Sequence, residues 1–447
     1  MANSDNILAP DPGLVRDTDR TSRKIEASRF RFRIALFCGA ALAAASTTAW
    51  GADFDRGQNQ SVLDRASAAY APDGVDLGPF RLFPTLDVDE MYNSNIFATQ
   101  TNDTGDFITT IRPQFKLNTS MRDDTFSIYG QGAIARYADH STEDSDTGTL
   151  GGSAQINAQH DVEIDLRVEH QHDVEPRYDP SVFAGSAVPT LYDLQIESLQ
   201  VSKTINRLRL TTAVENDRYD YGVVPQVAGP ALNENYRDQN AYTIGQTVEY
   251  AISPATALYA AFIYNGHGYD RSELLTGFNQ NSNGYQANFG ANFDITHLIR
   301  GQFALGYLSE NAHDSRLPDY SGLSVSVNMD YFVTPIITLH LISSRSVNAS
   351  GLVGAPEYLS SNVQIGADYE LRRNLVLSAS AAGGWDTYNG IDRNDTRQSY
   401  NASAKYYMNR NIAFVLQYQR MTLDSAGTGA GTGYRVNQVT FSIVLAR

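Results

Sequence analysis

The chain has 447 residues, 42% of them hydrophobic and 19% charged, and its 50 Asp and Glu against 34 Lys and Arg give a formal net charge of -16. This acidic balance excludes a typical nucleic-acid binder, which needs clustered Lys and Arg. The apolar content is too high for a disordered chain, and the sequence has no run of 18 or more apolar residues that would predict a transmembrane helix.

The first fifty residues have the order of a secretory signal peptide. Three arginines between positions 29 and 33 precede a short apolar stretch, 34–45, and small residues follow it. This order of basic, apolar and small residues predicts export. We expect cleavage after Gly51, with cleavage after Ala52 as the alternative. About thirty residues precede the apolar stretch, so either the signal is extended or translation starts downstream.

Removal of the predicted signal, 1–51, changes the charge and removes the only thiol. This segment holds seven Lys and Arg and five Asp and Glu, so the remaining chain has 27 basic and 45 acidic residues and a net charge of -18. Cys38 lies too early in the apolar stretch, behind the bulky Phe37, for a convincing lipoprotein site. The exported chain must therefore be stable without a disulfide.

The rest of the chain alternates apolar and polar residues with a period of two. Clear examples are 162–168, 285–295, 323–331 and 363–371. Successive side chains of a strand point to opposite faces, so this pattern predicts strands with one apolar face. No segment has a sustained apolar stripe with the helical period, and we expect few helices.

Short turns and long polar stretches follow each other in strict alternation. Eight short turns are predicted near 121–124, 160–161, 206–207, 253–256, 296–297, 334–335, 372–374 and 409–411. Nine longer stretches rich in Gly, Asp, Asn and Ser are predicted near 92–106, 139–148, 171–190, 216–238, 266–283, 309–321, 344–358, 385–397 and 422–434. Seventeen connections predict 18 strands, with 16 as the alternative, and both ends of the sheet on the short-turn side.

This regular meander predicts an all-β fold, a transmembrane up-and-down antiparallel β-barrel. Outer-membrane barrels have short periplasmic turns, long outer loops and spans of about 9–11 residues per strand. In lipid an open sheet edge is not tolerated, so the first strand, 82–88, should pair with the last, 439–445. A soluble sandwich is the alternative. Tyrosines near the short turns fit an interfacial girdle; they are Tyr250, Tyr331, Tyr369 and Tyr406.

The predicted organisation is a signal peptide at 1–51, a periplasmic N-terminal segment at 52–79 and the barrel at 80–447. A barrel of 16–18 strands leaves an aqueous lumen unless something plugs it. Polar residues of the alternating strands should then line the pore, although any water-filled lumen requires polar walls. The predicted pore-lining residues are Arg112, Gln114, Lys116, Glu163, Asp165, Arg167, Glu169, Asn288, Asn292, Asp294, Asn328, Asp330, Gln364, Asp368 and Glu370.

The motifs of common enzymes are missing from the sequence. It contains no Gly-x-Ser-x-Gly, no His-Glu-x-x-His and no Cys-based metal motif. We interpret His170 and His172 as solvated histidines rather than metal ligands, and Asp144 and Asp146 as part of an acidic loop rather than a calcium loop. We therefore predict no catalytic residue, no metal site and no cofactor.

One part of the chain resembles a known family. The residues are Phe80–Val88, leading into Tyr92–Thr99, and after a polar loop Asp106–Phe115, with the lead-in Pro72–Phe80. They resemble the putative beta-barrel porin 2 family, large outer-membrane barrels of proteobacteria, and the likeness extends over roughly 60–447. The resemblance implies an outer-membrane barrel often associated with exopolysaccharide or capsule production. The matching motifs are structural, so the resemblance implies no catalytic residue.

The resemblance also suggests a role and partners. Some members are thought to be the outer-membrane exit for a polymer, working with a periplasmic polysaccharide-export protein that lacks its own membrane-spanning part. We expect the same here, in contact with outer-membrane lipid and with both barrel termini periplasmic. The alternatives are a general or solute-selective diffusion porin for small polar solutes and a surface-structural or adhesive barrel. Segment 52–79 is the expected periplasmic contact or partial plug, with a loose linker as the equal alternative.

Overall fold

The structure is a computed structural model that describes residues 60–119, 121, 124–159, 161–179, 185–271, 277, 279–352 and 354–447. The predicted signal peptide and residues 52–59 lie outside the described residues. Within them, one closed antiparallel sheet accounts for most of the chain.

Eighteen long strands form this sheet among the described residues. They are β1 Phe80–Asn93, β2 Asp106–Thr119, β3 Thr125–Tyr137, β4 Ser145–Gln159, β5 Val162–Val174, β6 Leu191–Ile205, β7 Leu208–Tyr221, β8 Gln239–Ser253, β9 Thr256–Tyr269, β10 Ser282–Ile295, β11 Ile299–Ala312, β12 Tyr320–Thr334, β13 Ile337–Leu352, β14 Ala355–Arg372, β15 Leu375–Tyr388, β16 Asn394–Tyr407, β17 Ile412–Ala426 and β18 Tyr434–Ala446. Each pairs antiparallel with its sequence neighbour, and β1 pairs with β18, with Leu86 opposite Leu445. The predictions of 18 strands and of first-to-last closure are confirmed.

Short and long connections alternate along the chain, with one exception. Short turns lie at one end, and both the start of β1 and the end of β18 lie there too. The prediction of a long connection at 344–358 is wrong. The strands β13 and β14 extend through this stretch, and only 353–354 connect them. Small and polar residues occupy both faces of this hairpin, so it has no apolar alternation to mark it as strand.

The two faces of the sheet differ as the alternation predicts. Midway along β10, the Phe289 side chain is 71% exposed, whereas its neighbour Asn288 is 7% exposed. The same outward face carries the predicted girdle tyrosines, which are all exposed: Tyr250, Tyr331, Tyr369 and Tyr406. A strand such as β10 has 14 residues, more than the roughly 9–11 needed to cross a membrane, so its outer end extends beyond the lipid.

Little regular structure lies outside the barrel wall. The helix α1 spans Val62–Ala69, and the Ser61 hydroxyl caps it by accepting from the Asp64 N–H at 3.1 Å. A short strand, Val75–Leu77, pairs with the start of β1. In the connection between β7 and β8, Val223–Val224 pairs with Leu232–Asn233. Across the described ranges, the helices are all too short or too polar to traverse a bilayer.

We expect Phe289→Arg to destabilise the barrel, because it places a charge on the outward apolar face at mid-strand. A cation near the bilayer midplane costs about 2–4 kcal/mol. Urea unfolding of the barrel in lipid vesicles measures this. Gln364→Arg, on the interior face of β14, is the matched control, and its urea unfolding midpoint should be close to that of the wild type. Equal losses in the two variants would contradict the assignment of the faces.

Candidate functional site, the barrel interior

The fifteen residues predicted to line a pore lie on five strands, β2, β5, β10, β12 and β14. All of them occupy strand positions on the face opposite the exposed apolar side chains. The same face contacts α1 from several strands at once, which only the concave side of a closed sheet allows. The residues are spread along the wall rather than gathered at one point. Their role as the lining of a conducting pore stays a prediction.

On β1 and β2 the interior charges pair across neighbouring strands. Arg112 forms an ion pair with Asp89, and the Gln114 amide donates to Asp87 at 3.0 Å. Charge-assisted contacts of this kind offset the loss of hydration when a charged group is partly buried. The arrangement holds these side chains against the wall.

On β5 the predicted residues form a second group. Arg167 lies 2.9 Å from Glu169, which also accepts from the Tyr129 hydroxyl. Nearer the turns, Glu163 lies 3.5 Å from Arg209 of β7. Carboxylates and guanidinium groups therefore pair along β5 and between β5 and β7.

A histidine links two predicted aspartates on β12 and β14. His340 of β13 places Nδ1 2.7 Å from Asp330 and Nε2 2.6 Å from Asp368. Asp368 also accepts from the Ser378 hydroxyl of β15 at 2.5 Å. Four adjacent strands are thus connected on the interior face by one chain of hydrogen bonds.

The helix α1 lies against the interior face at the short-turn end. Val62 is fully buried and packs against Val376, Tyr407 and Ala413, while its N–H donates to the Thr338 hydroxyl at 3.1 Å. The helix therefore touches the strands β13, β15, β16 and β17 from inside the barrel.

Polar and aromatic contacts hold the helix in the same place. The Arg65 guanidinium pairs with the predicted residue Glu370 on β14, with Nε 3.2 Å from Oε2. After the helix, the Tyr70 ring stacks on Tyr407 with centroids 4.7 Å apart. Glu370 is therefore occupied by the N-terminal segment and does not face open water.

At the opposite end, β13 leaves the wall. The strands β12 and β13 pair from the turn only as far as Ser326 opposite Ser344, although β12 continues to Tyr320. Beyond that point β13 pairs with β14 alone. We name residues 345–358, the outer part of β13 and β14, the inserted hairpin.

The inserted hairpin contacts strands that are distant from it along the wall. The Tyr236 hydroxyl, in the connection between β7 and β8, donates to the Gly351 carbonyl at 2.7 Å. The Ser282 hydroxyl of β10 donates to Glu357, and Ala355 is fully buried. Since Ser282 lies on the interior face, the inserted hairpin reaches into the lumen.

Stacked tyrosines lie on the interior face at this end of the barrel. Tyr358 of the hairpin stacks on Tyr388 with centroids 5.1 Å apart, and Tyr192 stacks on Tyr221 at 5.4 Å. The Arg237 guanidinium lies over the Tyr221 ring, 3.9 Å from its centroid. Together these rings line the interior near the long loops.

Buried ion pairs fix the loop between β7 and β8 above these rings. Arg237 lies 2.7 Å from Glu234 and also pairs with Glu175. Burial raises the pKa of the Glu234 carboxyl, and the Arg237 guanidinium opposes that rise. The loop is thus held inward by charges that are almost inaccessible to solvent.

Sequence reasoning considered segment 52–79 as a partial plug, but it did not identify α1 and it missed the inserted hairpin. The Ser61 cap followed by Asp64 is a start signal for a short helix, so α1 could have been found. Nothing local indicates that Val62 fits against Tyr407, or that Glu357 reaches Ser282, because those partners are 75 or more positions away.

A family model matches residues 67–447, and it is the model of the putative beta-barrel porin 2 family. The chain belongs to this family. As a putative beta-barrel porin 2 member it is an outer-membrane β-barrel of the porin type, and the predicted family and outer-membrane location are confirmed. The family points to a channel rather than to an enzyme.

Solved structures similar to the chain are remote in sequence. They include the Pseudomonas aeruginosa outer membrane protein opdK (10% identity, TM-score 0.43, 82% of this chain and 99% of that chain) and OccK3 (OpdO) from the same organism (10%, 0.43, 87% and 100%). A third is a mutant of the P. aeruginosa ferric enterobactin receptor PfeA (8%, 0.44, 82% and 80%). No curated protein matches the chain.

We expect Val62→Asp to raise the ionic conductance of the barrel in planar bilayers several-fold. A carboxylate cannot be buried unpaired against Val376 and Tyr407 at acceptable cost, so α1 should leave the lumen. Leu63→Asp, an exposed position of the same helix, is the control and should conduct like the wild type. Identical conductance in all three proteins would mean that α1 does not obstruct the passage.

Proposed function

We propose that this barrel is the outer-membrane exit for an uncharged polysaccharide, and that it is closed at rest by its N-terminal segment. The observation that carries the proposal is α1, seated on the interior face at the short-turn end, which we place on the periplasmic side. A pore for passive diffusion has no need of a closing element there. An export channel does, because it must stay shut until polymer arrives.

The interior wall suits a neutral glycan better than a charged polymer. Of the fifteen predicted lining residues, seven are acids and three are bases, so a polyanion would be repelled. Amides such as Gln364 and hydroxyls such as Ser378 can exchange hydrogen bonds with sugar hydroxyls. The tyrosine faces near the long loops, among them Tyr192 and Tyr388, offer flat apolar surfaces for sugar rings.

The position of the closing element also supports a periplasmic partner. Segment 52–79 precedes β1 on the proposed periplasmic side, and its Asp73 pairs with the exposed Arg410 of the turn between β16 and β17 at 2.7 Å. A polysaccharide-export protein docking at these turns could draw the segment out of the lumen. The energy for transport would come from that assembly, since this chain has no phosphate-binding loop.

A second candidate function is a solute-selective diffusion porin. The inserted hairpin favours it, because a segment folded into the lumen narrows the passage and lets wall charges act at close range. In that case the substrate would be a small polar solute.

Deleting the gene should sharply reduce surface polysaccharide, because the polymer would lose its exit. The wild-type gene should restore the polymer, and so should the Leu63→Asp variant, which is the control for expression. Staining and sugar analysis of shed and surface polymer measure the effect. Normal surface polysaccharide in the deletion strain would overturn export.

Bilayer recordings separate the remaining alternatives. For an export channel opened by Val62→Asp, neutral dextran fragments should interrupt the current more than polygalacturonate of similar length. Free passage of small solutes through the wild type, without such interruption, would favour the diffusion porin. A barrel silent even after Val62→Asp would favour a surface-structural role.

A further inference from the structure

We infer that His267, Glu310 and Glu357 form a binding site for one divalent cation of the Zn²⁺ class, and that the bound ion fastens the inserted hairpin to the barrel wall. Each residue offers one ligand atom, and these atoms all lie within 4.8 Å of one another. Two ligand atoms of a tetrahedral zinc site at its usual bond lengths are about 3.3 Å apart. A contraction of at most about 1.5 Å therefore completes the site.

The three residues come from separate parts of the chain that the fold brings together. His267 on β9 is opposite Ser282 on β10, and Glu310 lies on the next strand, β11. The side chains of His267, Ser282 and Glu310 lie on the interior face. Glu357 comes from the inserted hairpin, and the Ser282 hydroxyl donates to it. The site thus joins the wall to the hairpin.

The burial of the two carboxylates is the second reason to expect a cation. Glu310 is 4% exposed and Glu357 is 2% exposed. Within the described ranges, neither forms an ion pair with Lys or Arg, and Oε1 of Glu310 has no hydrogen-bond partner. Two buried acids facing each other repel when both are ionised. A divalent cation would neutralise the pair and supply the missing partner.

The surroundings of the site prepare its ligands. Nδ1 of His267 lies 3.2 Å from Oε1 of Gln239, and since a carbonyl oxygen only accepts, Nδ1 carries the proton. Nε2 then has a free lone pair, which is the arrangement that outer partners impose on metal-bound histidines. The Asn265 amide donates to Oε2 of Glu310 at 2.8 Å and leaves Oε1 as the ligand atom.

Gly284 provides the room for the Glu310 carboxylate. A Cβ at this position of β10 would overlap Oε2 of Glu310, so only glycine lets the carboxylate lie over the strand. One imidazole nitrogen and two carboxylate oxygens are a donor set that suits Zn²⁺, and water can complete the coordination.

The first test is zinc binding to the purified full-length barrel in detergent, by isothermal titration calorimetry with ZnCl₂. We expect one site per chain in the wild type. Glu357→Gln and His267→Asn should bind zinc at least about tenfold more weakly. Removing a metal ligand weakens metal affinity at least as much as removing a residue that hydrogen-bonds to a ligand, which typically costs about tenfold or more. Heat-modifiable migration on gels verifies that each variant is folded.

Two further variants keep this test decisive. His172→Gln is the control, because this outward-facing histidine lies 2.8 Å from Asp193 and could account for surface binding; it should bind zinc like the wild type. Gly284→Ala changes no ligand but displaces Glu310, and it should weaken binding too. A folded wild type that binds no zinc, or equal zinc binding by all variants, would overturn the site.

The second test asks whether the ion fastens the hairpin. With α1 released by Val62→Asp, micromolar ZnCl₂ should lower the open fraction of the barrel in bilayers, and EDTA should restore it. The double variant with Glu357→Gln should respond to neither. Zinc binding without any such response would overturn the fastening role. Calorimetry does not depend on conduction, so failure of the proposed channel function is distinguishable from failure of the site.

Discussion

The whole structure depends on one constraint: within lipid, every backbone N–H and C=O must have a hydrogen-bond partner in the protein. A bilayer core offers no water to a free sheet edge, so the first strand must meet the last. Leu86 opposite Leu445 is the visible result. Once the sheet is closed, its side chains face either lipid or an enclosed space, and the period-two pattern assigns each residue to one of them.

The enclosed face must then accommodate many charges without bulk water around each. It does so by pairing them, as in the link from Asp330 through His340 to Asp368. The same pairing also holds α1 and the inserted hairpin against this face. Arg65 attaches the helix through Glu370, and Ser282 attaches the hairpin through Glu357. Polar walls thus serve both as lining and as anchorage.

Much of the fold could be predicted from the sequence because strand alternation and turn residues are local signals. The eighteen strands and the outward tyrosines such as Tyr250 follow from neighbours in the chain, and closure follows from the intolerance of lipid for a free sheet edge. The contacts that α1 and the inserted hairpin make inside the lumen do not. Segment 344–358 lacks apolar alternation because small and polar residues occupy most of its positions. His267, Glu310 and Glu357 have no spacing that a motif could capture, since only the tertiary fold unites them.

The departure of β13 from β12 has a consequence for where the bilayer ends. Above Ser326 and Ser344 the two strands no longer share a ladder, so the wall between these two edges is interrupted there. Hydrocarbon cannot tolerate such edges, and the outer lipid boundary therefore lies at or below these serines. The nine residues from Ser326 to Thr334 are just about enough to cross the apolar layer. The interrupted part of the wall consequently lies outside the hydrocarbon layer, at the level of the headgroups or beyond.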